Sequence, residues 1–119
     1  MSKKILAVDD SATVLASIKG MLSGVYEVHT AAGTKQAESV LETLRPDLML
    51  LDIDMPGGDG ISFLKKLKKK TGYDFPIVFL SSNSGSENVV KTAQLGATGF
   101  IEKPFDKDKL LAKIEAWLH

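Results

Sequence analysis

Asp9 and Asp10 directly follow one apolar run, KILAV, and Asp52 directly follows another, DLMLL. Both runs read as short buried strands, so each delivers carboxylates at the carboxyl end of a strand. In open α/β sheets that edge is where ligands bind. Three carboxylates gathered there repel one another: at ~4 Å and an effective dielectric of ~20, each pair costs about 4 kcal/mol. A fold tolerates this when a cation, a lysine or protonation offsets it. Lys103, immediately after a third run, TGFIE, is the candidate lysine. An acidic pocket with a lysine is the pattern of a metal-assisted site.

The elements that must position these residues alternate short apolar runs with longer amphipathic segments. Strands are expected over residues 5–8, 26–30, 48–51, 77–80 and 99–101. The third and fourth runs do not alternate with polar residues, which predicts burial on both faces of a parallel sheet. Helical faces are formed by Val14, Leu15, Ile18 and Leu22, and by Ala37, Val40, Leu41 and Leu44. Leu64 and Leu67 mark a third helix; Val89, Val90 and Ala93 a fourth; Leu110, Leu111, Ile114, Trp117 and Leu118 a fifth. The segment from Ser84 to Glu87 has capping-box spacing, and Asp106 can cap the last helix. Arg45-Pro46 is expected to stop the second helix, because proline disfavours helical backbone before it. Five βα units with right-handed crossovers give an α/β fold, a doubly wound parallel sheet in one domain over residues 1–119.

Size and composition bound the function. The 119 residues suffice for one continuous core. Lys+Arg and Asp+Glu both number 15, so no bulk attraction to nucleic acid or membrane is implied. The absence of cysteine excludes disulfides, a thiolate metal site and a cysteine nucleophile. The apolar run at the start is too short for a signal peptide, and nothing approaches the ~20 apolar residues that span a bilayer. A cytoplasmic setting is expected. The lysines at 65, 66, 68, 69 and 70 lack interleaved aromatics, and complementing a helix C-terminal dipole explains them better than a nucleic-acid patch. His29 and His119 have no partners at ligand spacing.

Taken together, residues 5–11, 51–60, 76–82 and 96–105 resemble the receiver (CheY-like) domain of two-component response regulators. The pieces are ILAVDDS, LDIDMPGGDG, PIVFLSS and GATGFIEKPF, in the family's order and at strand ends, and the resemblance covers essentially the whole chain. It implies a flavodoxin-like (βα)5 fold with strand order 2-1-3-4-5. It also implies that Asp52 is the phosphoacceptor and that Asp9, Asp10, Asp52 and the backbone carbonyl of Asp54 surround Mg²⁺, Asp9 largely through water. Ser81 would contact the phosphoryl group, Lys103 would pair with it, and Phe100 would be the switch aromatic. Asp54 and Asn83 stand where the family tunes dephosphorylation, and a cis Lys103-Pro104 bond is expected.

The family departs from this chain at a few positions: threonine is frequent where Ser81 stands, and Met or Asn where Asp54 stands. By resemblance the chain is not an enzyme with a separate substrate; it catalyses only its own phosphorylation and dephosphorylation. Its donor would be a sensor histidine kinase or phosphotransfer protein. Its downstream protein target would meet the face of the fourth helix, fifth strand and fifth helix, with no direct nucleic-acid or membrane contact. The chain would be a stand-alone receiver or a domain of a larger regulator.

Simpler readings compete at each position. Asp9 and Asp10 alone could cap a helix. Asp52 to Gly60 is rich in turn residues, though turn chemistry does not need a carboxylate straight after Leu51. Asp52-Ile53-Asp54 also looks like the nucleophile motif of haloacid dehalogenase-type phosphatases, but that family places it after the first strand and leaves Asp9-Asp10 unexplained. A phosphorylation-independent module of the same fold would lack acidic or lysine positions, and none is lost here. A flavin binder would meet repulsion between its phosphate and the acidic first turn.

Overall fold

The computed structural model describes residues 3–53, 60–69, 75–81, 93–94, 96–103 and 105–118. Five strands form one parallel sheet: β1 (Lys4–Val8), β2 (Glu27–Ala31), β3 (Leu48–Asp52), β4 (Ile77–Ser81) and β5 (Gly99–Glu102), in the order β2-β1-β3-β4-β5. The helices among the described residues are α1 (Ala12–Leu22), α2 (Thr34–Leu41), α3 (Gly60–Lys68) and α4 (Lys107–Leu118). Here α4 is the last of the five helical patterns in the sequence; the Val89–Val90 pattern and the Ser84 capping box lie outside the described residues.

Strand alternation sorts the apolar side chains into two layers. Leu6, Val8, Met49, Leu51, Ile77 and Phe79 pack with Ala37 and Leu41 of α2 and Phe63, Leu64 and Leu67 of α3. Ile5, Ala7, Leu48, Leu50, Val78, Leu80 and Ile101 pack with Leu15, Ile18 and Leu22 of α1 and Leu110 and Ile114 of α4. All five residues of β3 and of β4 are buried, as their unbroken apolar runs predict. Full burial of a Leu, Ile or Phe side chain contributes about 1.5–3 kcal/mol, so the central strands anchor the sheet at whose carboxyl ends Asp9, Asp52 and Lys103 stand.

Local signals set the boundaries, with two corrections. Tyr26 lies outside β2, because its amide donates to Leu22 O at 3.0 Å and remains in the turn that leaves α1. That turn uses Gly24 at φ +87°, the left-handed region that glycine adopts without a Cβ clash. The second correction is that α2 stops at Leu41 rather than at Arg45-Pro46. Its last carbonyls are taken by tighter bonds first: Glu42 N donates to Ser39 O at 3.3 Å and Thr43 N to Val40 O at 3.2 Å. At α4, Asp106 caps as expected, its Oδ1 accepting from Lys109 N at 2.8 Å.

Candidate functional site

Backbone hydrogen bonds carry the parallel ladder one residue past the strands and fix the roots of the site. Asp9 N donates to Ala31 O at 3.1 Å, Ile53 N to Leu80 O at 3.0 Å, and Lys103 N to Ser81 O at 2.8 Å. Val8 is in register with Leu51, so Asp9 and Asp52 occupy the next row on adjoining strands. These are the strands on either side of which the chain runs outward, to β2 one way and β4 the other. Such a switch point, at the carboxyl ends of the strands, is the crevice where doubly wound sheets bind ligands.

Alternation also accounts for which side chains meet. Asp9 continues the parity of Ile5 and Ala7, Asp52 that of Leu48 and Leu50, and Lys103 that of Ile101, all members of the layer against α1 and α4. Carboxylate oxygens of Asp9, Asp10 and Asp52 lie within 4.8 Å of one another; Asp9 and Asp52 are buried and Asp10 is exposed. Lys103 closes the cluster, its Nζ 2.9 Å from Asp9 Oδ2 and 3.4 Å from Asp52 Oδ1. Burial works against the ammonium, but the hydrogen bond to Asp9 and the charges of Asp52 and Asp9 outweigh it, so its pKa stands above the ordinary lysine value. Three carboxylates and one ammonium leave two formal negative charges, and the donors are all oxygens. That donor set fits a hard divalent cation such as Mg²⁺.

Helix capping does not explain the paired aspartates. The N-cap of α1 is Ser11, whose Oγ accepts from Val14 N at 3.3 Å. Asp9 instead steadies the turn below it, with Oδ1 accepting from Ser11 N at 2.9 Å. A serine directly before an amphipathic run was the available signal for this cap.

Ser81 ends β4 and is fully buried. It has the parity of Ile77 and Phe79, hence of the layer against α2 and α3. Phe100 is in register with Phe79 and packs partly buried against that same layer. The structure therefore brings Asp9, Asp10, Asp52 and Lys103 into one pocket and places Ser81 and Phe100 along a common side of β4 and β5. Asp54, Asn83 and Pro104 lie outside the described residues. Sequence reasoning missed Phe105, which with Thr13, Val14, Ser17, Met21 and Lys103 lines a groove of about 220 Å³ beside the acidic pocket. It also missed the partner of His29, whose Nε2 lies 2.7 Å from Glu27 Oε2 and holds the Glu27 carboxyl below its usual range.

The chain is similar to known proteins in sequence and in fold. The family model described as response regulator receiver domain matches residues 5–115. The sensory transduction protein BceR of Halalkalibacterium halodurans is 36% identical over 97% of this chain and 49% of its own length. The phosphate regulon transcriptional regulatory protein PhoB of Pseudomonas aeruginosa is 36% identical over 99% of this chain and 52% of its own. The chain thus spans about half the length of these curated relatives. Among solved structures, the chemotaxis protein CheY4 of Vibrio cholerae superposes with a TM-score of 0.93 at 32% identity, over 98% of this chain and 99% of that one. The phosphatase likeness of Asp52-Ile53-Asp54 does not extend to its placement, since Asp52 closes the third strand and shares its pocket with Asp9 and Lys103. With its strand order, its acidic switch point and a family match over nearly its full length, the chain belongs to the response regulator receiver domains of two-component signalling.

Proposed function

We propose that Asp52 accepts a phosphoryl group, in a Mg²⁺-dependent reaction, from a phosphohistidine of a sensor histidine kinase or phosphotransfer protein in the cytoplasm. The observation that carries this reading is the Lys103 ammonium lying between Asp9 and Asp52 at the switch point of the sheet. A carboxylate oxygen of Asp52 attacks phosphorus and forms an acyl phosphate, while the P–N bond of the donor breaks and its imidazole takes up a proton. Phosphoryl transfer asks little covalent work of the protein, so positioning and charge neutralisation dominate. Burial and the β3 ladder hold the Asp52 carboxylate in place. Lys103 is tethered to β4 through its backbone amide, so its ammonium can turn from Asp9 to an incoming phosphoryl oxygen without moving the strand. Asp10 and Asp52, with the Asp54 carbonyl, would hold Mg²⁺ directly and Asp9 largely through water, and the ion would supply neutralisation of the phosphoryl oxygens.

The Ser81 hydroxyl reaches the phosphoryl group by moving toward Asp52, and Phe100 turns inward in response, changing the face that β5 and the helices beside it present to a protein target. Asp54 and Asn83 tune how long the acyl phosphate lasts. The domain spans residues 1–119, acts on no separate substrate, and contacts neither nucleic acid nor membrane directly. Among the described residues no helix is long and apolar enough to cross a membrane. Incubation with a small phosphodonor and Mg²⁺ should add one phosphate per chain, and Asp52→Asn should abolish it. Unchanged incorporation in that variant would overturn the assignment.

A further inference from the structure

Gly99 opens β5, and Trp117 lies one residue from the end of α4. A Cβ built on Gly99 would overlap the six-membered half of the Trp117 indole, so the ring rests directly on the strand backbone. The close approach, and not a special φ, requires glycine here. Trp117 itself packs partly buried against the layer that includes Ile101, Leu110 and Ile114. The next residue in β5, Phe100, packs against the opposite layer and is in register with Phe79. One peptide unit therefore separates the proposed switch aromatic from the backbone on which the chain's single tryptophan rests. Among the described residues β5 is an edge strand, paired with β4 alone, so the side chains that clasp its two faces help to fix its first residues.

We propose that Trp117 is a positioning residue: its indole clasps the start of β5 and couples the place of Phe100 to α4. This rests on the reading of Asp52 as phosphoacceptor and Phe100 as switch. Interiors are close-packed, so a ring seated on bare backbone passes a small strand displacement on to its helix. A backbone shift at Phe100 carries Gly99 with it, and the indole either follows or loses contact. In the first case α4 moves; in the second the ring changes environment. Both alter tryptophan emission, and by linkage a contact that senses the switch also biases ligand binding at Asp52.

The test uses the full chain with Mg²⁺ and beryllofluoride, a stand-in for the phosphoryl group, followed by tryptophan emission and, separately, by ¹⁹F NMR of the bound fluoride. Emission should change on saturation in the wild type and stay constant in Asp52→Asn. Trp117→Leu should alter the beryllofluoride dissociation constant by about fivefold or more, the low end of usual coupling between sites. Trp117→Phe, which keeps an aromatic ring over Gly99, should restore it toward the wild-type value. Bound beryllofluoride with unchanged emission would overturn the proposal alone, and so would an unchanged dissociation constant in Trp117→Leu. If Trp117→Leu does not fold, wild-type emission decides. No bound fluoride in the wild type would overturn the Asp52 reading and, with it, this inference.

Discussion

Replacing Lys103 by methionine keeps most of the aliphatic stem and removes the ammonium. Within the cluster, carboxylate oxygens lie up to 4.8 Å apart. At that spacing and an effective dielectric of ~20, each of the three pairs repels by about 3.5 kcal/mol, or roughly 10 kcal/mol for the trio. On the same scale, the Lys103 contacts at 2.9 Å to Asp9 and 3.4 Å to Asp52 contribute about 6 and about 5 kcal/mol of attraction. The ammonium thus offsets nearly all of the repulsion. Without it, the least costly relief is for one carboxyl to take up a proton, which at pH 7 costs about 4 kcal/mol for an aspartate of ordinary pKa. On this scale the proton and the one remaining carboxylate pair leave about 7–8 kcal/mol, and the cost of burying the ammonium in the wild type offsets part of it. Lys103→Met should therefore lose about 3–5 kcal/mol in metal-free buffer at pH 7, the range for breaking a buried ion pair.

The sign with pH follows from the same proton. A carboxyl pKa raised in the folded variant destabilises it above the unfolded value and ceases to do so as pH falls toward that value. At pH 5 the protonation costs only about 1.5 kcal/mol, so the gap between wild type and variant should shrink. Urea unfolding of both proteins at the two pH values, with and without Mg²⁺, measures these quantities, and the cation should also narrow the gap at pH 7. A metal-free gap below about 1 kcal/mol at pH 7, the range of a surface ion pair, would refute the reasoning. A gap that failed to narrow at pH 5 would do the same.

Saturating Mg²⁺ should stabilise the wild type, by about 1.4 kcal/mol at ten times its dissociation constant, and Asp10→Ala should remove the effect in thermal melts. Ser11→Ala should cost about 1 kcal/mol by leaving Val14 N without its capping oxygen, measured by urea unfolding. Because Lys103 is held above its ordinary pKa, its stabilisation is complete below about pH 10.4 and is lost as pH rises through the folded value. Tyr26, raised by burial and then by Glu115, acts in the same direction, so this loss is to be read as a declining difference between wild type and Lys103→Met in alkaline unfolding. Phe100→Ala should leave phosphorylation of Asp52 intact while shrinking the beryllofluoride-induced amide NMR shifts at Ser81 and in β5.

Much of this was legible in the chain because it depends on short-range pattern. Runs such as Leu48 to Leu51 and Ile77 to Leu80 admit only a buried strand once helices flank them, and a residue directly after such a run must stand at the carboxyl edge of the sheet. Asp9, Asp52 and Lys103 were placed by that rule alone. Strand order was not available from periodicity, since any right-handed winding of five units gives the same alternation; it came from the resemblance. The end of α2 was misplaced because tightening of the last turn at Glu42 and Thr43 is decided by geometry that Pro46 does not govern. The seat of Trp117 on Gly99 was hidden because the two residues are far apart in sequence and a glycine at a strand start usually marks only a turn.

The two core layers also separate the chemistry from its readout. Asp9, Asp52 and Lys103 share the parity of the layer against α1 and α4, whereas Ser81 and Phe100 share that of the layer against α2 and α3. On the proposed reading, a phosphoryl group on Asp52 would be held from the first side and its presence felt on the second. On the same reading Ser81 would carry that signal, as the terminal residue of β4 and one whose carbonyl already accepts from the Lys103 amide. Lys103 and Ser81 are joined through the backbone, so the lysine side chain would meet the charge while its amide stays fixed to the residue proposed to report it. Losing the ammonium should therefore impair the chemistry with the β4–β5 linkage intact. Losing the Phe100 ring should impair the readout while Asp52 still takes up its phosphate, since Phe100 packs against the opposite layer.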